Sequence, residues 1–309
     1  MVNAYFHILD DRGIIRVAGE DRFQFLQHLV SNDVFKVTPE SAGYGAFLTT
    51  QGKFLHDFFL ININDALLID TAADRLQDFF CTLQKYKLRS RIDLSINSKH
   101  WTVAAIFGKN VLDLDLIHLP AKRGAMSSFA EGFAFIDPRH INAGIRILSY
   151  KESKPNILKT TKLQVTDRES YERYRIALGL PDGTKDMEVK KTLLLEAGFE
   201  ELGGVDFQKG CYIGQELTAR TKYRGLVKRR LMPIKINGSI PNPGTKITLN
   251  GRGIGEVRSV IANRNSNKLK GIGLAMIRID SIKDAIHFNH QLIANEAIIN
   301  PYKPDWASL

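Results

Sequence analysis

Only two of the 309 residues are cysteine, Cys81 and Cys211, and that scarcity excludes several architectures at once. Two thiols cannot build a disulfide framework, and free thiols point to a reducing compartment. Nor can they supply the four thiolates of a usual iron–sulfur site, and no CxxC pair is present. A cluster held by this chain must therefore bridge to a partner or to another copy. The eight histidines are dispersed and form no ligand-spaced motif, so no permanently bound metal is expected. No apolar run approaches the roughly 18 residues of a membrane-spanning helix, and no membrane partner is expected. The opening Met-Val-Asn-Ala-Tyr-Phe-His-Ile-Leu-Asp lacks the basic segment and apolar core of a secretory signal. A cytoplasmic location is expected. Internal repeats and disordered blocks are also missing.

What is present is an ordinary globular composition, 44% hydrophobic and 25% charged, in a chain long enough for two or three domains. The net charge is +10, and it is unevenly spread. Residues 209–230 carry seven cations (Lys209, Arg220, Lys222, Arg224, Lys228, Arg229 and Arg230) against the single acid Glu216. Such a segment suits phosphates, the polyanionic tail of a cofactor, or a transient RNA contact. It equally suits a solubilising face whose arginines pair with acids elsewhere in the chain. Tyr212 and Tyr223 interleave with the cations but match no RNA-binding motif.

The hydrophobic pattern predicts an α+β chain. Alternation over His7–Val17 reads as two strands about an Asp10–Gly13 turn. Asp21 is the expected N-cap of a helix whose apolar face carries Phe23, Phe25, Leu26 and Leu29. Two apolar stretches, 45–48 and 54–60, flank the polar turn Thr49–Lys53 and read as a hairpin. Leu76, Phe79, Phe80 and Leu83 mark a helix over 72–86, and Cys81 within it is expected to be core. Tyr171, Tyr174, Ile176 and Leu178 mark another, stopped by Gly179-Leu180-Pro181-Asp182-Gly183. Beyond Arg229 come several short apolar runs with glycine and proline punctuation and no convincing helix. That pattern predicts a small barrel or sandwich over 230–309.

The densest chemistry lies in Lys209-Gly210-Cys211-Tyr212-Ile213-Gly214-Gln215-Glu216. A reactive thiol needs an electropositive setting that favours the thiolate, and Lys209 stands two residues away. Cys211 is therefore a candidate nucleophile, redox thiol or transient cluster ligand. The competing description is a small buried hydrophobe between turn-forming glycines.

This eight-residue signature, extended by Ala219-Arg220 and Lys222-Tyr223-Arg224-Gly225, resembles that of the YgfZ-type folate-binding proteins. Those are relatives of the aminomethyltransferase T-protein of glycine cleavage. Supporting stretches run the length of the chain: Val17-Ala18-Gly19-Glu20-Asp21, Phe25-Leu26-Gln27, Ser31-Asn32-Asp33, and Gln51-Gly52-Lys53 followed by Asp57. Further on come Asp137-Pro138-Arg139, Tyr174–Pro181, Gly255-Glu256-Val257 and Gly273–Arg278. The resemblance implies a three-part ring, with two intertwined α+β regions over 1–229 and a C-terminal β-barrel over 230–309, around a folate pocket. It also implies a role in building or maintaining iron–sulfur enzymes, including those that modify tRNA. Expected partners are a tetrahydrofolate or derivative and iron–sulfur client or assembly proteins. Two departures stand out. The acid matching the T-protein's catalytic region, Asp57, has His56 as its neighbour. Gly144-Ile145-Arg146-Ile147 stands where the T-protein has a glutamate-containing folate motif, and it carries no glutamate.

On this reading a flat pterin would lie between apolar walls, for which Phe47, Phe54 and Phe58 are candidates. Asp57 would pair with the pterin edge or hold a proton; the alternative is a solvent-facing acid on an alternating strand. Arg175 or Arg220 would receive the glutamate tail. Three functions follow: a tetrahydrofolate-binding accessory protein for iron–sulfur enzymes, a folate-dependent aminomethyl or one-carbon transferase, and an RNA- or protein-docking scaffold using residues 209–230.

Overall fold

Three β-sheets arise from the alternating stretches, in a computed structural model that describes residues 3–114, 117–153, 157, 161–225, 227–263 and 270–308. The first sheet has five strands in the order β3 (Gly43–Leu48), β4 (Phe54–Asn62), β5 (Ala66–Ala72), β2 (Arg12–Ala18) and β6 (Asp93–Ile96). The second has six: β11 (Gln164–Val165), β1 (Asn3–Ile8), β7 (Trp101–Lys109), β10 (Ile145–Tyr150), β9 (Gly132–Ile136) and β8 (Met126–Ser128). The two strands about the Asp10–Gly13 turn both form, yet they part company. β1 joins the six-stranded sheet and β2 the five-stranded one, so this turn crosses between sheets.

Helices α1 (Arg22–Gln27) and α2 (Leu76–Lys87) cover one face of the five-stranded sheet. There Ile15, Val17, Leu26, Phe47, Phe58, Leu60, Phe79 and Leu83 form a separate apolar layer. Asp21 does precede α1, but its carboxylate accepts from the Arg91 amide at 2.7 Å and makes no cap bond to the helix. The opposite face of the sheet opens onto a core shared by all three bodies. Tyr44, Phe54 and Phe59 meet Val103, Phe107 and Phe135 of the second sheet and Leu231, Leu274 and Met276 of the third. Each buried aromatic side chain contributes roughly 1.5–3 kcal/mol of transfer free energy, so this meeting place is the main adhesive between the bodies.

Helices α3 (Arg168–Ala177), α4 (Gly183–Asp186) and α5 (Gln215–Tyr223) lie in the segment leading to the third body. That body is a closed barrel of β12 (Arg229–Asn237), β15 (Lys270–Arg278), β14 (Arg252–Ala262), β13 (Lys246–Leu249), β16 (Leu292–Ala294) and β17 (Ala297–Pro301). β12 closes it by pairing with both β15 and β17, and closure removes the exposed strand edges. The expectation of no helix in this segment is corrected by α6 (Ile279–His287). Asp280, Lys283 and Asp284 interrupt its apolar residues in the sequence, whereas Ile279, Ile282 and Ile286 share one face at helical spacing. Among the described residues, no helix is long and apolar enough to cross a membrane.

Candidate functional site

The stretches that carry the resemblance gather into two places. The first surrounds Cys211, which is exposed on the loop leading into α5. The loop is held from below. Lys209 sends its ammonium inward, donating to the carbonyls of Val30 and Asn32, both at 2.7 Å. Burial pulls its pKa down to about 8, with Asp33 and Asp206 partly offsetting the effect. The expectation that Lys209 electrifies the thiol is therefore corrected: its charge neutralises carbonyl dipoles on the far side of the loop. Asn32 in turn donates to the carbonyls of Tyr44 and Gly203, and the Ser31 hydroxyl donates to that of Gly204. Tyr212 is buried beside Lys209, 5.2 Å from ammonium to ring centre, and burial pushes its hydroxyl up to about 12. Gln215 is half-buried and Glu216 exposed on the first turn of α5.

Gly214 fixes the loop from the other side. Its φ is +79°, and a Cβ there would lie 2.5 Å from the Thr49 carbonyl oxygen and 2.9 Å from Cα of Gly52. Gly52, at the hairpin turn, has φ +74° and no room for a Cβ against Leu217 and Gly214. These two glycines dock the motif onto the β3–β4 hairpin. Gly210 differs, since a Cβ on it would meet nothing within 4 Å. Gly214→Ala is expected to lose at least about 1–3 kcal/mol for the left-handed backbone alone. Gly210→Ala should change stability by no more than about 0.5 kcal/mol. Urea unfolding of both variants checks the contrast, and equal losses would contradict this account of the loop.

The second place surrounds Asp57, at the shared core. Asp57 is 5% exposed and accepts from the Tyr44 hydroxyl at 3.0 Å. Burial raises its pKa, Arg12 pulls it back, and Asp182 pushes it further up. The expectation of a possible solvent-facing acid is thus excluded. Around it lie four guanidiniums. Arg12 and Arg146 both reach Asp70, at 2.6 and 2.7 Å. Arg139 grips Asp137 with two bonds, of 3.0 and 2.7 Å, and donates to the Pro181 carbonyl. Burial would raise the Asp137 carboxyl, but Arg139 outweighs it and holds the carboxyl below its usual range. Arg175 pairs with Glu172 and Asp186.

A β-bulge decides which side chains face this centre. Phe47 stands opposite His56 but Leu48 opposite Phe54, so Leu55 is an extra residue in β4. Without it, Phe54 and Asp57 would point to opposite faces. With it, Phe54 turns into the shared core, near Asp57, while Phe58, which follows Asp57, and Phe47, opposite His56, fall on the α2 side by alternation. The expectation that Phe47 and Phe58 line the pocket is corrected on that ground. Phe59, which sequence reading missed, is the ring that faces the arginines. His56 is buried against Phe79 with ring centres 4.4 Å apart and has its Nε2 3.3 Å from the Asp78 carboxylate, so it serves the α2 side and not the Asp57 centre.

Arg175 cannot hold a ligand's glutamate tail as arranged: it is 3% exposed and its donors are taken by Glu172, Asp186 and Leu180. Arg220 is exposed on α5 and does not line the cavity beside Asp57; neither does Cys211. Cys81, expected in the core, is half-buried on α2 and accepts from the Gln77 side-chain amide at 3.2 Å. In the basic segment, Lys209 is buried while Lys222, Arg229 and Arg230 pair with Glu200, Glu196 and Glu201. Arg220, Arg224 and Lys228 stay exposed, with no carboxylate partner among the described residues.

As a pterin site the centre has the right donors and too little space. The cavity lined by Asp57, Phe59, Arg12, Arg139, Arg146 and Tyr171 measures about 30 Å³, room for about two water molecules and far below the roughly 300 Å³ of a small-ligand site. Arg146 closes it, its guanidinium carbon 3.9 Å above the Phe59 ring centre. A folate does not fit this arrangement. Gly183 closes the other side, since a Cβ there would lie 2.0 Å from an Asp57 carboxylate oxygen.

Comparison with known proteins agrees with this architecture. Residues 228–309 match the family described as CAF17, C-terminal beta-barrel domain. The iron-sulfur cluster assembly factor IBA57, mitochondrial, of Mus musculus is 29% identical over 96% of this chain and 84% of its own length. The homolog from Mycosarcoma maydis is 33% identical over 72% of this chain and 55% of its own. Among solved structures, the glycine cleavage system aminomethyltransferase T from Bartonella henselae superposes with a TM-score of 0.77. It covers 99% of this chain and 87% of the other at 14% identity, a likeness of fold alone.

Proposed function

Because the chain belongs to the YgfZ/IBA57 family of T-protein-like proteins, we propose that it is an accessory factor in iron–sulfur protein assembly, presenting Cys211 to a cluster shared with a partner protein. The observation that supports this reading is the geometry of Cys211: an exposed thiol on a loop anchored from two sides, with open space beside Gly210. One thiol supplies one of the four usual cluster ligands, so the cluster is cargo and the other ligands come from outside the chain. Ligation needs the thiolate, so Cys211 gives its proton to solvent as its sulfur replaces another ligand on iron. Anaerobic loading with ferric iron, sulfide and glutathione tests this. Wild type and Cys81→Ser should develop the visible absorption of a protein-bound cluster, and Cys211→Ser should not. Equal absorption in Cys211→Ser would refute it.

Kinship with the family also supports a folate-related role, which we assign to a state in which Arg146 has left Phe59. Anaerobic calorimetry with tetrahydrofolate reads this directly. Arg146→Ala should bind at least tenfold more tightly than wild type. Equal affinities would contradict closure by Arg146, and no binding to either would remove folate from this chain. The one-carbon transferase reading needs the same opened centre, with transfer of a carbon unit to tetrahydrofolate as its added check. The family resemblance supports clients that include tRNA-modifying enzymes, for which loss of modified nucleosides from tRNA in cells lacking the chain is the check. The three unpaired cations limit any direct RNA contact to few phosphates, so its salt dependence should be shallow. We place the protein in the cytoplasm, where thiols stay reduced; co-fractionation with an organelle would overturn that placement.

A further inference from the structure

A cavity of about 490 Å³ lies away from both places, where α6 and the end of β17 meet the C-terminal part of α5. Its volume falls within the range of small-molecule sites. The walls are largely apolar: Leu195, Met232 and Pro301 on one side, and the Ile279, Ile282 and Ile286 face of α6 on the other. Ile286, 77% exposed, carries the apolar face of α6 out to the mouth of the cavity. The charged residues sort into two kinds. Lys222 and Arg230 are consumed by Glu200 and Glu201. Lys283 and Lys303 also line the cavity, are exposed, and have no carboxylate partner among the described residues.

An apolar concavity with two unspent cations complements an aliphatic body ending in an anion. We propose that this cavity binds an amphiphilic carboxylate of the medium-chain fatty-acid class, its chain against Met232 and the α6 isoleucines and its head group at Lys283 and Lys303. The inference is independent of the iron–sulfur reading and uses none of its residues. The chain length is set by burial: each methylene taken out of water tightens binding by up to about fourfold, so affinity rises along the series until the cavity is filled.

The experiment titrates the full chain with octanoate, decanoate and dodecanoate below their micellar concentrations, by calorimetry, with dodecylamine as the charge-reversed control. Saturable one-to-one binding of the carboxylates, tightening with length, is expected, and the amine should bind at least tenfold more weakly. The double variant Lys283→Glu, Lys303→Glu should weaken decanoate at least tenfold, and Ile286→Glu should weaken it comparably. All three positions are exposed, so thermal unfolding curves should overlay that of wild type. Absence of saturable binding overturns the proposal. So does equal binding of the amine, or decanoate binding that survives both sets of substitutions.

Discussion

Replacing Asp70 by Ala is expected to destabilise the protein by about 3–5 kcal/mol, the usual result of stranding buried charge. Asp70 is 1% exposed and lies on β5, in the five-stranded sheet. It accepts from Arg12 of β2 in its own sheet and from Arg146 of β10 in the other, at 2.6 and 2.7 Å. One carboxylate therefore pins the two sheets together across the shared core. Its loss leaves two guanidiniums, themselves almost excluded from solvent, without the one carboxylate that both of them bond. The triple variant Asp70→Leu, Arg12→Met, Arg146→Met should recover most of the loss, because it removes the charges together. Denaturant unfolding at pH 7 measures both. A loss below about 1 kcal/mol in the single variant would show that the ion lattice is not holding the sheets.

The next largest effect is a response to acid. Burial beside Phe79, with Arg75 adding to it and Asp78 opposing, lowers the pKa of His56 from 6.5 to about 4. In the unfolded chain His56 takes up its proton near 6.5, whereas the folded protein resists until about 4. Between those values the unfolded state binds more protons, so folding stability falls as the pH is lowered. At 1.36 kcal/mol per unit the full loss is about 3 kcal/mol, reached at and below pH 4. His56→Phe keeps the stacked ring and removes the titration. Its stability should match wild type within about 1 kcal/mol at pH 7 and exceed it progressively from pH 6.5 to 4. Parallel pH profiles for the two proteins would contradict a neutral buried His56.

Much of this was legible in the chain, and the failures have identifiable physical causes. Helical periodicity located α2 and α3, whose apolar faces recur over several turns, and two continuous apolar runs about a polar turn located the β3–β4 hairpin. The Lys209–Glu216 signature marked Cys211 as a candidate reactive thiol, which the fold leaves exposed, and its glycines proved to have different jobs. Gly214 is forced by a positive φ and a close backbone neighbour, while Gly210 is not. No local pattern shows that distinction, because it depends on the hairpin turn 160 residues away in sequence packing against the motif. Phe47 and Phe58 belong to the other face by plain alternation, since Phe58 directly follows Asp57 and Phe47 lies opposite His56; the bulge at Leu55 is what brings Phe54 round to the side of Asp57. Arg175 looked like a free anion receptor because its partners Glu172 and Asp186 are brought to it by a helix turn and a chain reversal. Arg146 is the most instructive case. It was visible as a departure from the T-protein's folate motif, and the structure puts that same residue on Phe59, closing the centre.

The molecule therefore has two functional parts. An inner ion lattice holds the sheets and encloses Asp57, and an outer loop presents Cys211 to partners. That division separates what stabilises the fold from what carries the proposed function. It makes Cys211→Ser a clean probe, since an exposed thiol replaced by a hydroxyl should leave folding stability within about 0.5 kcal/mol of wild type.

The most direct measurement is the specific activity of a [4Fe–4S] dehydratase, per amount of its protein, in cells lacking this chain and complemented with wild type or Cys211→Ser. The account predicts low activity without the chain, recovery with wild type, and no recovery with Cys211→Ser expressed at the same level. Full recovery with Cys211→Ser, or undiminished activity when the chain is absent, would contradict it.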